Sequence, residues 1–138
     1  MPANTQPIFS LLPDNQWAVA DLTAANTAKD GTGTVTTVFT ADASNGGRVE
    51  KIIARPLGTN VATVLRVFEN NGASNATRAN NTLIAEMTLP ATSLSEVAAQ
   101  PAYELPLNLP LNPGHKINCV IGTAVAAGFA LTAIGSKY

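Results

Sequence analysis

Residues 48–69, RVEKIIARPLGTNVATVLRVFE, decide the fold class of this chain. Two runs rich in Val and Ile, at 48–55 and 62–69, flank a short segment that contains Pro56 and Gly58. β-Branched residues pack well on a pleated surface, and a proline and a glycine between two such runs are typical of a turn between strands. The stretch therefore predicts two strands rather than a helix.

The same pattern continues outward from this stretch in both directions. Further runs of strand character lie at 34–39, 82–89, 103–108, 115–121 and 128–134, with a shorter one near 17–22. Because the runs are short and turn residues separate them, we expect two packed antiparallel sheets. The prediction is an all-β, antiparallel β-sandwich of seven to eight strands, with at most one or two helical turns.

Turn and edge signals refine this prediction. Three reversals combine asparagine, proline and glycine in ways that supply positive or fixed φ angles, namely Asn45-Gly46-Gly47, Asn71-Gly72 and Pro113-Gly114. Residues 105–110, LPLNLP, contain prolines that cannot donate to a sheet, so they predict an edge strand or an extended crossing. Residues 70–81 predict a long polar loop, and residues 91–100 have room for one helical turn.

Several predicted strands are apolar on both faces. In residues 62–69 the even-numbered positions, which would share one face of a strand, include Val64 and Phe68, and the odd-numbered positions on the other face include Leu65 and Val67. A sheet with one face in water should alternate more cleanly between apolar and polar residues. Two explanations are open, which are central strands covered by loops of the same chain and an interface with another subunit.

Composition limits the partners that the chain can bind. Of its 138 residues, 46% are hydrophobic and 12% are charged, and the charged share is about half of what is usual in a soluble globular protein. Eight basic and nine acidic residues give a net charge of −1. Because no excess of positive charge is present to attract phosphates or anionic lipids, neither nucleic acid nor a membrane is expected as a partner. One domain is expected over residues 18–138.

The residue types needed for catalysis or metal binding are scarce. His115 and Cys119 are the one histidine and the one cysteine, which excludes the usual zinc sites and an intramolecular disulfide. No serine lies in a G-x-S-x-G elbow. We expect Cys119 to be a small buried hydrophobic residue, His115 to be a turn or edge residue, and the protein to be no enzyme and to need no cofactor or metal. The alternative is a small hydrolase whose carboxylate pair meets only in the folded chain.

The N-terminal residues 1–17 predict an extended arm. Their prolines disfavour a helix, and no basic segment precedes a long apolar one, so export by the general secretory route is not expected. The arm carries apolar side chains that need a surface to bury them. We predict that these residues contact other proteins: Ile8, Phe9, Leu11, Leu12 and Trp17. The competing interpretation is that the arm covers the open end of its own sandwich.

Three runs of the sequence resemble small virion proteins of tailed bacteriophages. They are residues 48–71, RVEKIIARPLGTNVATVLRVFENN, residues 80–98, NNTLIAEMTLPATSLSEVA, and residues 111–138, LNPGHKINCVIGTAVAAGFALTAIGSKY. Within that group the chain is most similar to the head-decoration, or capsid cement, type. The resemblance covers roughly the last two thirds of the chain, from residue 48 onward.

The resemblance implies a jelly roll or a related β-sandwich that forms a homotrimer. It implies binding to the major capsid protein on the capsid exterior of the virion, after assembly in the bacterial host cytoplasm, so that neighbouring capsid subunits are held together. It assigns no individual residue to the capsid contact. The alternatives are a tail or baseplate structural protein and a receptor-binding or carbohydrate-binding jelly-roll module.

Overall fold

The computed structural model describes residues 10–138, which form two antiparallel sheets packed face to face. The strands are β1 (Leu12–Pro13), β2 (Gln16–Trp17), β3 (Thr36–Thr40), β4 (Gly47–Pro56), β5 (Thr63–Asn70), β6 (Asn81–Leu89), β7 (Tyr103–Leu111), β8 (Lys116–Ile121) and β9 (Phe129–Lys137). A 3-10 helix at Arg78–Asn80 interrupts the predicted polar loop. The first sheet has the order β1-β9-β4-β7, with β2 also paired to β9, and the second has the order β3-β8-β5-β6.

This strand order is that of a jelly roll. Because β1 and β2 pair with the same edge of β9, they count as one strand position. If β1 and β2 are numbered as position 1 and β3 to β9 as positions 2 to 8, the two sheets have the orders 1-8-3-6 and 2-7-4-5. The predicted antiparallel β-sandwich is confirmed. Residues 10–138 form nine strands where seven or eight were predicted, because two short strands, β1 and β2, occupy the first position.

The break between β1 and β2 has a local cause. The Asp14 N–H donates to the Gly135 carbonyl at 2.9 Å, but the Gly135 N–H donates to the Asn15 side-chain Oδ1 at 3.1 Å instead of to a backbone carbonyl. The strand predicted at 17–22 therefore differs from the observed one. Pairing begins earlier, at Leu12, and further along the chain Leu22 forms one isolated bridge with Phe129.

The core lies between the sheets. Inward side chains of the central strands are fully buried, among them Val49, Ile52, Leu65, Cys119 and Ile121. The Phe39 ring packs against the backbone of β9, where a Cβ added at Gly135 would lie 2.8 Å from the ring and 2.6 Å from the Arg48 carbonyl oxygen. Glycine at position 135 thus lets an aromatic side chain reach the neighbouring sheet.

Loops of the same chain cover the outer face of the second sheet. Phe68 and Asn118 are register partners and Val120 lies on the same face, yet these side chains are at most 3% exposed. The loops above them are connected, since the Asn75 amide donates to the carbonyls of Gly31 and Gly33 at 3.1 and 2.8 Å. For β5 and β8, cover by the chain itself explains the apolar residues on both faces.

Two local predictions had different outcomes. The proline-containing segment at 105–110 lies in β7, which is the edge strand of the first sheet, as predicted. No helical turn forms at 91–100, so that prediction was wrong. Thr92 pairs with Asn60 and the Leu94 N–H donates to the Thr59 Oγ1 at 3.0 Å, and these bonds hold the segment extended.

Candidate interaction surfaces

One end of the sandwich includes, beside the start of the segment between β2 and β3, three connections at residues 57–62, 90–102 and 122–128. They join β4 to β5, β6 to β7 and β8 to β9. Because consecutive strands alternate in direction, all three connections leave the sheets at the same end. We call this surface the apolar end, for the reason given below.

The buried side chain of Asn60 connects two of these segments. Asn60 is 3% exposed; its amide donates to the Gly128 carbonyl at 3.0 Å, and its Oδ1 accepts from the N–H groups of Ala127 and Gly128 at 2.9 Å each. Its backbone exchanges two hydrogen bonds with Thr92 at 2.9 and 3.2 Å. One residue therefore joins the three connections into a single structure.

Two buried threonines complete this arrangement. The Thr92 hydroxyl donates to the Gly58 carbonyl at 2.8 Å, and the Thr63 hydroxyl exchanges two hydrogen bonds with the backbone of Thr123. Buried polar groups with all partners in place hold a loop in one conformation. The end of the sandwich is thus organised by hydrogen bonds within the chain.

The outer surface of this end is apolar. Four large hydrophobic side chains project from it with exposures between 46% and 98%, and they are Leu57, Val61, Leu94 and Val97. Glu96 is the one charged residue in the three connections. Exposed apolar side chains that are clustered and rigidly held mark a protein-binding surface more often than scattered ones do.

The opposite end is polar. Its turns include the Asp42 carboxylate, which accepts from the N–H groups of Ser44 and Asn45 at 3.0 and 2.8 Å, and these bonds lower the pKa of Asp42. The 71–80 loop at the same end is rich in asparagine. The molecule therefore has one polar and one apolar end.

The residues predicted from the N-terminal arm are divided between described and undescribed positions. Ile8 and Phe9 lie outside the described residues. Leu11, Leu12 and Trp17 are 75%, 55% and 68% exposed. The backbone of this segment is nevertheless held on its own sheet, because the N–H of Leu11 donates to the Lys137 carbonyl at 2.9 Å. The arm thus pairs through its backbone from residue 11 onward and presents apolar side chains to solvent.

His115 has an acidic partner that the sequence did not reveal. Its Nδ1 lies 2.7 Å from the Glu69 Oε1, and both side chains are about four fifths buried. Glu69 is 46 residues away along the chain, and it is brought close because β5 and β8 pair antiparallel. One carboxylate and one histidine do not make a metal site, and residues 10–138 contain no group of three His, Cys, Asp or Glu side chains placed to hold a metal ion.

Cys119 lies on the inward face of β8 and is fully buried, as predicted. Burial in apolar surroundings raises the pKa of its thiol to about 12, because the thiolate would lose its hydration there. The thiol therefore stays protonated and unreactive at neutral pH.

We expect neither His115 nor Cys119 to take part in chemistry. Cys119→Ser is expected to lower the free energy of unfolding by roughly 1 to 3 kcal/mol, because it buries a hydroxyl group in an apolar site. His115→Ala is expected to cost about 1 kcal/mol or less, because its partner keeps some contact with water. Both variants should assemble like the wild type. Urea unfolding measured beside an assembly assay checks this, and an enzymatic turnover lost in either folded variant would contradict it.

The other carboxylates near basic groups form surface ion pairs. Glu50, Glu86 and Glu104 pair with Arg48, Arg66 and Lys51 at 2.8, 2.8 and 3.1 Å. Exposed pairs of this kind contribute little to stability.

A polar cavity of about 220 Å³ lies beside the loops over the second sheet. Thr37, Asn70, Ser74, Lys116 and Asn118 line it, and none of its lining residues is aromatic. Sugar-binding sites commonly use an aromatic face, so this cavity is a less developed candidate site than the apolar end.

No protein-family model, curated protein or solved structure matches this chain. Within the part of the chain that the structure describes, no helix is long and apolar enough to cross a membrane.

Proposed function

We propose that this protein is a non-enzymatic structural protein of a virion, a decoration or cement protein that binds the phage head lattice through its apolar end. The observation that carries the proposal is the apolar end itself, where buried hydrogen bonds join the loops that carry four exposed hydrophobic side chains. The proposed partners are the major capsid protein and further copies of this chain, in a homotrimer. The virion context and the trimer rest on the resemblance of residues 48–138 to such proteins.

The charge distribution supports attachment to a protein surface. Burying a charged group without a partner is costly, and the three connections of the apolar end contain one charged residue, Glu96, with Asp21 of the neighbouring segment beside Gly128. A surface that is already organised also loses less entropy when it binds. Leu57, Val61, Leu94 and Val97 therefore supply apolar area at little cost of ordering.

Cryo-electron microscopy of the source particle tests the proposal. The expected result is density for the jelly roll on the outside of the head, with its apolar end against the capsid. In a companion assay, the purified protein should sediment with heads that lack it. Density confined to the tail or baseplate would overturn the head assignment in favour of the alternative structural role. Absence from the particle would overturn the virion proposal as a whole.

The N-terminal arm is proposed as a second contact with a neighbouring subunit or the capsid. The side chains of Leu11 and Trp17 are exposed although their backbone is already paired or bonded to β9. Burying one such side chain fully contributes roughly 1.5 to 3 kcal/mol, so a few of them are enough to strengthen attachment.

Removing residues 2–9 tests the arm without disturbing β1. We expect a protein with an unchanged melting temperature that binds heads or its own copies about tenfold more weakly, because Ile8 and Phe9 are lost. Sedimentation with heads and light scattering measure the two effects. A lower melting temperature with unchanged assembly would instead favour an arm that covers its own sandwich.

A further inference from the structure

We infer that two copies of this chain pair through β6, as antiparallel strands related by a two-fold axis at Met87. The inference deepens the proposed function, because it assigns a surface to association between copies and leaves the apolar end for the head. It rests on the β6 edge, on the apolar residues beside it and on the charge pattern along it.

Of the edge strands, three carry devices that block further pairing. β7 contains Pro106, Pro110 and an irregular residue, Asn108, with φ of 47°. On β3, the Gln16 side chain bonds both the N–H and the carbonyl of Thr40 at 2.9 Å. At the remaining edge, β1 and β2 have two residues each. Such features are how natural sheets prevent additional strands from joining.

The β6 edge carries one such device, a bulge at Ile84, but residues 85–89 pair with β5 in regular register. Its nine residues contain no proline, and its one charged residue, Glu86, is paired with Arg66 on the next strand at 2.8 Å. In the described part of the chain, no loop or side chain bonds the backbone of residues 82–89. The regular edge at residues 85–89, whose one charge is already paired, is a template for another strand.

The hydrogen bonds of β5 show which β6 groups are unpaired. The Val64 carbonyl accepts from the Gly122 N–H at 3.0 Å, so the backbone of Val64 points toward β8. Directions alternate along an antiparallel strand, and Arg66 therefore points the same way. Their register partners on β6, Thr88 and Glu86, do not bond β5 and direct their N–H and carbonyl groups away from the sheet.

A two-fold axis at Met87 satisfies these groups. Glu86 of each copy then lies opposite the second copy's Thr88, and the two residue pairs exchange four N–H to carbonyl hydrogen bonds. This register places no carboxylate directly opposite another one, and each Glu86 keeps its own Arg66. A pairing of β6 with itself is therefore compatible in both hydrogen bonding and charge.

The side chains beside the edge are apolar and incompletely buried. Seven of the eight partly buried hydrophobic residues that pack against the core belong to β6 and β7, and they are Ile84, Ala85, Met87, Tyr103, Leu105, Leu107 and Leu109. Gln16 connects the two sheets on the opposite side of the sandwich, so β6 and β7 border the open side. A second copy paired at β6 would bring Met87 against Met87 and cover this side.

A cysteine placed on the axis tests the register. Residues opposite each other in a pair that is not hydrogen-bonded have Cα atoms about 4.5 Å apart, within the range of a disulfide. Met87→Cys is therefore expected to form a covalent dimer on mild oxidation. Ala85→Cys is the matched control, because its two copies would lie about 14 Å apart along the strands. The wild type should not cross-link, since Cys119 is buried.

A proline at position 88 tests the edge itself. Thr88→Pro removes an N–H that points away from β5, so the fold should persist while pairing is lost. The mass from light scattering should fall about twofold, from dimer to monomer, or from hexamer to trimer if the three-fold contact is also present. Thr88→Ala keeps the N–H and should leave the mass unchanged. If the proline variant does not fold, Thr88→Lys replaces it and opposes pairing by adding bulk and charge.

Several outcomes would overturn the inference. One is a wild-type mass that is an odd multiple of the chain mass, and a free trimer would therefore keep the proposed three-fold contact and overturn the pair. The others are equal cross-linking by Met87→Cys and Ala85→Cys, and an unchanged mass for the folded position-88 variants. These measurements use free protein, so they are independent of head binding. If the protein forms the pair in solution but does not sediment with heads, the pair is supported and the proposed function is contradicted.

Discussion

Leu94→Asp combined with Val97→Asp is expected to weaken binding to heads by at least about 100-fold. Both side chains are largely exposed in the free protein, at 58% and 98%, so the fold does not depend on them. Burying each against a partner contributes roughly 1.5 to 3 kcal/mol, and each tenfold change in affinity corresponds to about 1.4 kcal/mol. The introduced carboxylates would add a cost of desolvation. Sedimentation with heads over a range of protein concentrations measures the loss.

The control for this variant places the same charges at the polar end. Ala43→Asp combined with Ala76→Asp changes two exposed residues and alters the net charge by the same amount. It should bind heads like the wild type. Equal loss in both variants would show that net charge, and not the apolar end, governs attachment, and unchanged binding in the first variant would remove the proposed contact.

The fold class was predictable because its signals are local. Seven of the nine strands coincide with runs of β-branched and aromatic residues, and positive φ angles occur at the predicted turn glycines Gly46, Gly72 and Gly114. The prolines of β7 also predicted an edge position correctly. Each of these signals depends on the conformational limits of one or two residues, which the sequence states directly.

The order of the strands and the cover of the second sheet were not predictable in this way. Phe68 and Asn118 lie side by side on adjacent strands although 50 positions separate them. Whether loops or another subunit cover such residues depends on where a distant segment, here 23–35, crosses the sheet. The sequence agrees equally well with cover by loops of the same chain and with cover by another subunit, and only the folded structure separates these two explanations.

The apolar end escaped sequence analysis for a related reason. Two separate loops supply its exposed side chains, Leu57, Val61, Leu94 and Val97. In the sequence, each of them is an isolated hydrophobic residue between predicted strands. The sequence drew attention to Leu11, Leu12 and Trp17 because they are close together along the chain. Pairing of strands in alternating directions is what brings the loops to one end.

Asn60→Ala is expected to lower the free energy of unfolding by roughly 3 to 5 kcal/mol, a large effect for one residue. The substitution leaves the N–H groups of Ala127 and Gly128 without partners, while the Gly128 carbonyl keeps the Leu57 N–H as a donor at 3.0 Å. Each unsatisfied buried group costs about 1 to 3 kcal/mol. Urea unfolding followed by circular dichroism measures the change.

Two further variants separate hydrogen bonding from other causes. Asn71→Ala removes an exposed amide that also makes two hydrogen bonds, to Asn80 and Ala73, and should cost less than about 1 kcal/mol because water replaces them. Asn60→Leu keeps the number and branching of the side-chain heavy atoms but none of the bonds, and it should be as unstable as the alanine variant. Recovery of stability by leucine would show that Asn60 acts by filling space. If the bonds are the cause, both position-60 variants should also bind heads less tightly while still folded, because the apolar end would no longer be held in one conformation.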